Sequence, residues 1–241
     1  RENRARTVVW FGVGFETSAP HTAALILRAA EEGLGNLCVL SAHKTMPAAL
    51  MKLLCGTTRV HALLCPGHVA AIAGAEAFSF VPERLRLPAA VAGFEPAEIL
   101  AALVALLRLR RRGEAALKNL YPSAVREQGN PAAQALLARV FEPGDATWRG
   151  LGRIEGSALA IRAQYAAFDA QRRFELPATA EEAESPFCRC PDILRGEAEP
   201  EDCALFGGGC DPAHPQGPCM VSSEGACAAA YRYGGAYGTR D

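Results

Sequence analysis

Apolar positions in the first hundred residues fall in short unbroken runs, separated by stretches with helical spacing. Val8 to Val13 reads as a buried strand. Thr17 or Ser18 stands where a helix from about Ala19 to Glu32 needs its cap, and Gly33 and Gly35 end it. Leu37 to Leu40 is a second strand, and Pro47 to Leu54 a helix with proline at its start. His61 to Cys65 is a third strand and Val69 to Ala77 a helix. Ala89 to Ala92 is a fourth strand, before a helix from Pro96 to about Arg111. Strict alternation of strand and helix predicts a parallel sheet with helices packed on it. The strands are continuously apolar, as strands covered on both faces must be.

Beyond residue 113 the pattern changes. Helical spacing runs from Pro131 to Phe141 and from Ser157 to Phe174, around a loop with Gly144, Trp148, Gly150 and Gly152. Glu181, Glu182 and Glu184 make an acidic link. From Ser185 onward cysteine, glycine and proline dominate, and six of the nine cysteines lie there. The expected organisation is an α/β domain over 1–112, a helical connecting region over 113–180 and a small loop-rich domain over 181–241.

Half of the residues are hydrophobic, enough for a buried core. The net charge of −1 leaves no global footprint for nucleic acid. The basic run Arg108 to Arg112 suits the negative end of a helix dipole. No apolar run approaches the ~18 residues of a membrane span, and no signal-peptide pattern follows the charged first residues. A cysteine-rich chain of this kind is expected in the cytoplasm, where thiols stay reduced and bind metal or do chemistry.

The C-terminal segment has few large apolar side chains to bury, so cross-links, a metal or a cluster must hold it. Its cysteines are Cys188, Cys190, Cys203, Cys210, Cys219 and Cys227. Zinc sites show tight pairs with two to four residues between ligands. Here six residues separate Cys203 from Cys210 and sixteen separate Cys210 from Cys227. Interleaved glycines let backbone N–H groups approach sulfur and stabilise negative charge. An iron–sulfur cluster, a structural zinc and disulfides all remain open on spacing alone.

Polar groups recur at the ends of successive predicted strands: Glu16; then Ser41, His43 and Lys44; then Cys65 and His68; then Glu95. In open parallel sheets such ends form the ligand crevice. Glu16, Ser41, His43, Cys65 and His68 are therefore the candidate reactive set, with Cys65 either a low-pKa thiol beside a helix start or a small core residue. The Gly12-Val13-Gly14 turn lacks the third glycine of a dinucleotide fingerprint and suits a tight strand-to-helix turn equally well.

These residues carry a resemblance. The strings G-F-E-T-S-A-P at 14–20, S-A-H-K-T-M-P-A-A at 41–49, C-P-G-H-V at 65–69, A-G-F-E-P-A-E-I-L at 92–100 and W-R-G-L-G at 148–152 occur in order. With L-R-G, C-A-L-F-G, C-D-P and M-V-S-S-E-G-A-C in the tail, the chain resembles the HypD family of hydrogenase maturation proteins nearly end to end. That resemblance implies Rossmann-like α/β domains and a domain holding a [4Fe–4S] cluster. It implies work with a HypC-type chaperone and HypE on an iron centre bearing cyanide and carbon monoxide, delivered indirectly to the hydrogenase large subunit precursor. The cluster ligands it implies are Cys188, Cys203, Cys210 and Cys227, with Cys190 and Cys219 at positions that need not be cysteine. Neither membrane nor nucleic acid enters this picture.

Family members begin with a further α/β domain bearing Cys-Gly-Thr-His and Cys-Pro-x-Cys motifs. Neither occurs here in the matching context, so an N-terminally truncated member is expected. Ser123 stands where the resemblance implies Arg, and Gln128 where it implies Glu. The rival reading is a binding module with a structural zinc and no redox role.

Overall fold

Strand β1 (Val8–Gly14) leads through the Gly14 turn into helix α1 (Ala19–Glu31), and β2 (Leu37–His43) returns parallel to β1, with Val8 opposite Leu37 and Gly14 opposite His43. Ser18 occupies the N-cap position of α1 but does not cap it; its hydroxyl donates instead to the carbonyls of Val13 and Phe15. Next come α2 (Met46–Leu54), β3 (Leu63–Pro66), α3 (Gly67–Ala73), a 3-10 turn at Ala75–Phe78 and α4 (Phe80–Arg84). Strand β4 (Ala89–Ala92) is buried at every position. Helix α5 (Pro96–Arg112) starts in a capping box of Glu95 and Glu98 and stops at Gly113, which takes the left-handed conformation. Strand β5 (Leu117–Asn119) completes a parallel sheet in the order β3-β4-β5.

This computed structural model describes residues 5–177 and 185–234, so the acidic link at Glu181, Glu182 and Glu184 lies outside the described residues. The protein is mixed α/β with parallel sheets, as the alternation requires. Among the described residues there are two such sheets rather than one: β1-β2 and β3-β4-β5. Continuous burial holds for β4 but not for β1. Val8, Val9, Trp10, Phe11 and Val13 are each about half exposed, because among the described residues β1 pairs with β2 alone and is an edge.

After α6 (Pro131–Val140), capped by the Asn130 side chain on the Ala133 N–H, the chain forms a hairpin of β6 (Phe141–Trp148) and β7 (Gly152–Ile161). A helix expected over Ser157 to Phe174 is therefore replaced by β7, a 3-10 turn at Ala163–Phe168 and short α7 (Ala170–Arg173). Ser157, Leu159 and Ile161 share one face at the period of two that marks a strand. Strand β7 is fixed against the end of β2: Ser41 Oγ donates to the Leu159 carbonyl at 2.9 Å, and the Thr45 N–H donates to Ser157 at the same distance.

Two compact units result. The first comprises Arg1–Met51, His61–Ala146 and Glu155–Thr179. One of its cores lies under the second sheet, around Cys65, Val69, Phe78, Val81, Val91 and Val125. Another joins α1 and β2 to Val140, Phe141 and Ile161. The second unit gathers Lys52–Val60, the hairpin tip Thr147–Ile154 and Ala180–Asp241. It contains α8 (Cys190–Leu194), a 3-10 turn at Pro200–Asp202, α9 (Pro218–Val221) and α10 (Ala226–Tyr233). Its core is cysteine-rich, with Ile193, Ala198, Met220 and Ala228 among the sulfurs. Among the described residues no helix is long and apolar enough to cross a membrane.

Candidate functional site

In the first unit the strand-end residues occupy separate environments. Glu16 is buried, and its Oε1 accepts the N–H of Met46 at 3.0 Å, at the start of α2. Its Oε2 is buried with no hydrogen-bond partner. Burial raises the Glu16 pKa, against the lowering effect of its two backbone hydrogen bonds. His43 is 2 % exposed and lies 2.8 Å from the Thr22 hydroxyl through Nε2 and 3.5 Å from Ser18 through Nδ1. Burial pushes its pKa down. Ser41 is tied to β7, as described above. Cys65 sits within the second-sheet core, and burial pushes its thiol up to about 12, which removes the low-pKa option for this cysteine. His68 packs against exposed Phe94 with ring centroids 4.6 Å apart and the planes tilted by 58°. Among the described residues no hydrogen bond joins any two of Glu16, Ser41, His43, Cys65 and His68.

Gly12 explains how the His43 environment is built. A Cβ there would lie 2.8 Å from His43 Nε2 and 3.3 Å from Thr22 Oγ1, so only glycine lets imidazole and hydroxyl meet under β1. Thr22 belongs to this cluster and was not singled out by sequence. The signal for it was available: it lies on the inward face of α1, one turn past the cap.

In the second unit four thiols converge. Cys188, Cys203, Cys210 and Cys227 all line one cavity, walled otherwise by Ile193, Leu205, Phe206, Gly217, Met220 and a disulfide between Cys190 and Cys219. Spacing left the use of Cys190 and Cys219 open; the fold pairs them across 29 residues. Burial pushes the Cys227 thiol up to about 11, and the nearby sulfurs of Cys203, Cys210 and Cys188, with Glu201, add to the rise. The Gln216 N–H donates to Cys210 Sγ at 3.3 Å. A Cβ on Gly217 would collide with the sulfur of Cys188, so glycine is what leaves room for that thiol. Among the described residues no three His, Cys, Asp or Glu side chains are gathered closely enough to hold a metal ion.

Comparison with known proteins gives the family. Residues 1–234 match the family model HypD, described as "Hydrogenase formation hypA family". The chain belongs to the HypD family. It is 44 % identical over 241 residues to the hydrogenase maturation factor HypD of Azotobacter vinelandii, covering 97 % of this chain and 63 % of that protein. Identity to the HypD of Rhizobium leguminosarum bv. viciae is 42 % over 237 residues, covering 95 % and 61 %, and to that of Escherichia coli (strain K12) 39 % over 235, covering 97 % and 63 %. The chain thus spans less than two thirds of the length of these HypD relatives.

Two positions flagged as departures from the HypD pattern have defined surroundings. Gln128 donates its amide to Glu76 Oε1 at 3.1 Å. Ser123 lines a cavity of about 290 Å³ with Arg126, Asn130 and Pro131.

Proposed function

We propose that this HypD-family chain is the larger part of a maturation factor for nickel–iron hydrogenases, and that Cys188, Cys203, Cys210 and Cys227 hold a [4Fe–4S] cluster. The convergence of these four thiols on one cavity carries the reading. The donor set suits the group: four sulfurs, apolar walls and a backbone N–H directed at one of them. When bound, such a cluster supplies single electrons at low potential.

The chain's own residues do the rest. Ile193, Leu205, Phe206 and Met220 shield Cys203, Cys210 and Cys227 from water. The Gln216 N–H stabilises negative charge on Cys210, and loading requires the thiols to release protons. The α/β unit is read as Rossmann-like. His68, with its exposed ring, is the strand-end residue best placed to meet a substrate, and Glu16 offers an unpartnered but buried carboxylate oxygen. Ser41, His43 and Cys65 hold the strand ends in position. The substrate would be an iron carrying cyanide and carbon monoxide, handled with a HypC-type chaperone and HypE and passed indirectly to the hydrogenase large subunit precursor. A cytoplasmic location accords with that work.

Metal and sulfide analysis of the chain purified without oxygen tests the cluster. About four irons and four sulfides per chain, with broad visible absorption, are expected. Serine at Cys188, Cys203, Cys210 or Cys227 lowers iron content; serine at Cys190 or Cys219 does not. One zinc without sulfide overturns the reading. For the maturation role, the matching region of a full-length HypD is replaced by this chain in a strain lacking its own HypD. Hydrogenase activity is expected to return. A folded, cluster-bearing chimera that restores none refutes the role.

A further inference from the structure

The four thiols are not equivalent. Cys203, Cys210 and Cys227 are each less than 9 % exposed, whereas Cys188 is only half-buried. A second pocket also bordered by Cys188 is lined by Arg149, Gly150, Ser185, Pro191, Gln216, Gly217 and Pro218. Cys188 and Gly217 line both pockets and so form the wall between them. That wall is thin because Gly217 has no side chain: a Cβ there would press on the Cys188 sulfur. The hairpin tip forms one side of the outer pocket. A Cβ on Gly150, whose φ is +84°, would lie 3.5 Å from Pro218 and 3.6 Å from Pro191, and Arg149 precedes it in the chain. The volume is about 20 Å³, room for about one or two waters. Arg149, Ser185 and Gln216 are the polar residues of a lining otherwise made of glycine, proline and Cys188.

We infer that Cys188 is the solvent-side corner of the thiol cavity, and that the pocket between Arg149, Ser185 and Gln216 is the port by which small reagents reach its sulfur. Sulfide, peroxide and small thiol-modifying electrophiles meet Cys188 first. The other three sulfurs are reached only past it or through local opening. Any exchange of a ligand to a bound group, and any oxidative loss of it, then starts at this corner.

The test uses the full chain in its metal-free form, with the Cys190–Cys219 disulfide intact, and methyl methanethiosulfonate as probe. In that reaction the cysteine thiolate attacks the reagent's sulfenyl sulfur, the new S–S bond forms, and methanesulfinate leaves with the electron pair. Peptide mapping over time gives a rate for each cysteine, with exposed Cys55 as internal reference. Cys188 is expected to react at least about tenfold faster than Cys203, Cys210 and Cys227, since access governs thiol reactivity at a given thiolate fraction. Ser185→Leu, which narrows the port, slows Cys188 severalfold, and Arg149→Ala, which widens it, speeds it; Cys55 is unchanged in both. The inference falls if any of the three buried thiols reacts as fast as Cys188, or if neither variant alters the Cys188 rate. These rates do not depend on the cluster reading, which only the iron and sulfide analysis decides. In chain that does carry iron, Ser185→Leu is expected to slow extraction by a chelator, and an unchanged extraction rate counts against the port.

Discussion

The Nε2 atom of His43 lies 2.8 Å from the hydroxyl of Thr22, beneath the bare α-carbon of Gly12. The same hydroxyl accepts the indole N–H of Trp10 at 3.2 Å, leaving its own proton for the imidazole. Burial holds the ring neutral, with the Gly14 carbonyl opposing that shift in part. An unfolded imidazole takes a proton near pH 6.5, so below that pH the unfolded chain binds more protons than the folded one. Stability therefore falls as the solution is acidified through about pH 6.5 and on to the lowered folded value. Denaturant titrations across pH 5 to 8 should show this slope in the parent chain and a shallower one in His43→Gln. Gly12→Ala, which forces the ring to move, should cost about 1–3 kcal/mol at pH 7.

Glu16 titrates with the opposite sign. Its folded pKa is raised from the ordinary 4.5, so above that pH the folded carboxyl retains a proton that the unfolded one has lost. Its contribution to stability declines as pH rises toward the folded value. Glu16→Gln keeps an oxygen for the Met46 N–H and removes the ionisable group. It should stabilise the chain at pH 8 by about 1 kcal/mol, as expected for relief of a buried carboxylate with an unsatisfied oxygen. If Glu16 acts on substrate, the same variant lowers hydrogenase maturation in the full-length chimera, the usual trade between a strained site and stability. Equal loss of stability at both ends of the pH range would refute the assignment of the slope to this residue.

Much of the first unit was legible because single runs carried enough information. Ala89 to Ala92 are all apolar and all buried, and Pro96 and Gly113 bracket α5 as start and stop signals should. What could not be read depended on partners remote in sequence. Ser157 to Ile161 contains good helix formers, yet contacts from Ser41 and Thr45 recruit it into a strand, so tertiary pairing overrides propensity. The apolar run of β1 says nothing about its being an edge. In the candidate site, cysteine positions gave the thiol-rich unit, but which two would pair could not follow from spacing. Likewise, polar strand ends marked His43 without revealing that Thr22 would engage it. The two departures from the HypD pattern were visible as letters, and only the fold supplied their neighbours.

Gln128 is the clearer of those departures. Its amide donates to Glu76, in an exposed pair 3.1 Å apart. A glutamate at this position, as the HypD pattern implies, would set two carboxylates against each other. Gln128→Glu should therefore destabilise this chain by about 0.5–1 kcal/mol at pH 7, the scale of exposed charge pairs. The loss should shrink in high salt and vanish when Glu76→Gln is added. A double-mutant cycle by denaturant unfolding measures this coupling, and additive single effects would show that the two side chains do not interact.

The pairing of Cys190 with Cys219 makes a simple count decisive. Seven of the nine cysteines lie outside the disulfide, so thiol titration in denaturant should give seven per metal-free chain, and nine after reduction. The bond closes a loop of 29 residues between the starts of α8 and α9, in a unit whose core is largely sulfur and small apolar groups. In the chain-entropy model, closing a loop of that length disfavours the unfolded state by about 3–4 kcal/mol. A unit with so few large apolar side chains has little else of that size to draw on. Replacing both cysteines with serine should lower the unfolding midpoint of the second unit and leave that of the first unchanged, as read by hydrogen exchange of α8–α10 against β1–β5. It should also make loading of the four remaining thiols slower without changing their final iron content, because the disulfide lines their cavity without being one of the donors. A count of nine before reduction, or a variant whose second unit is as stable as the parent, would show that the walls of the thiol cavity are held by packing alone.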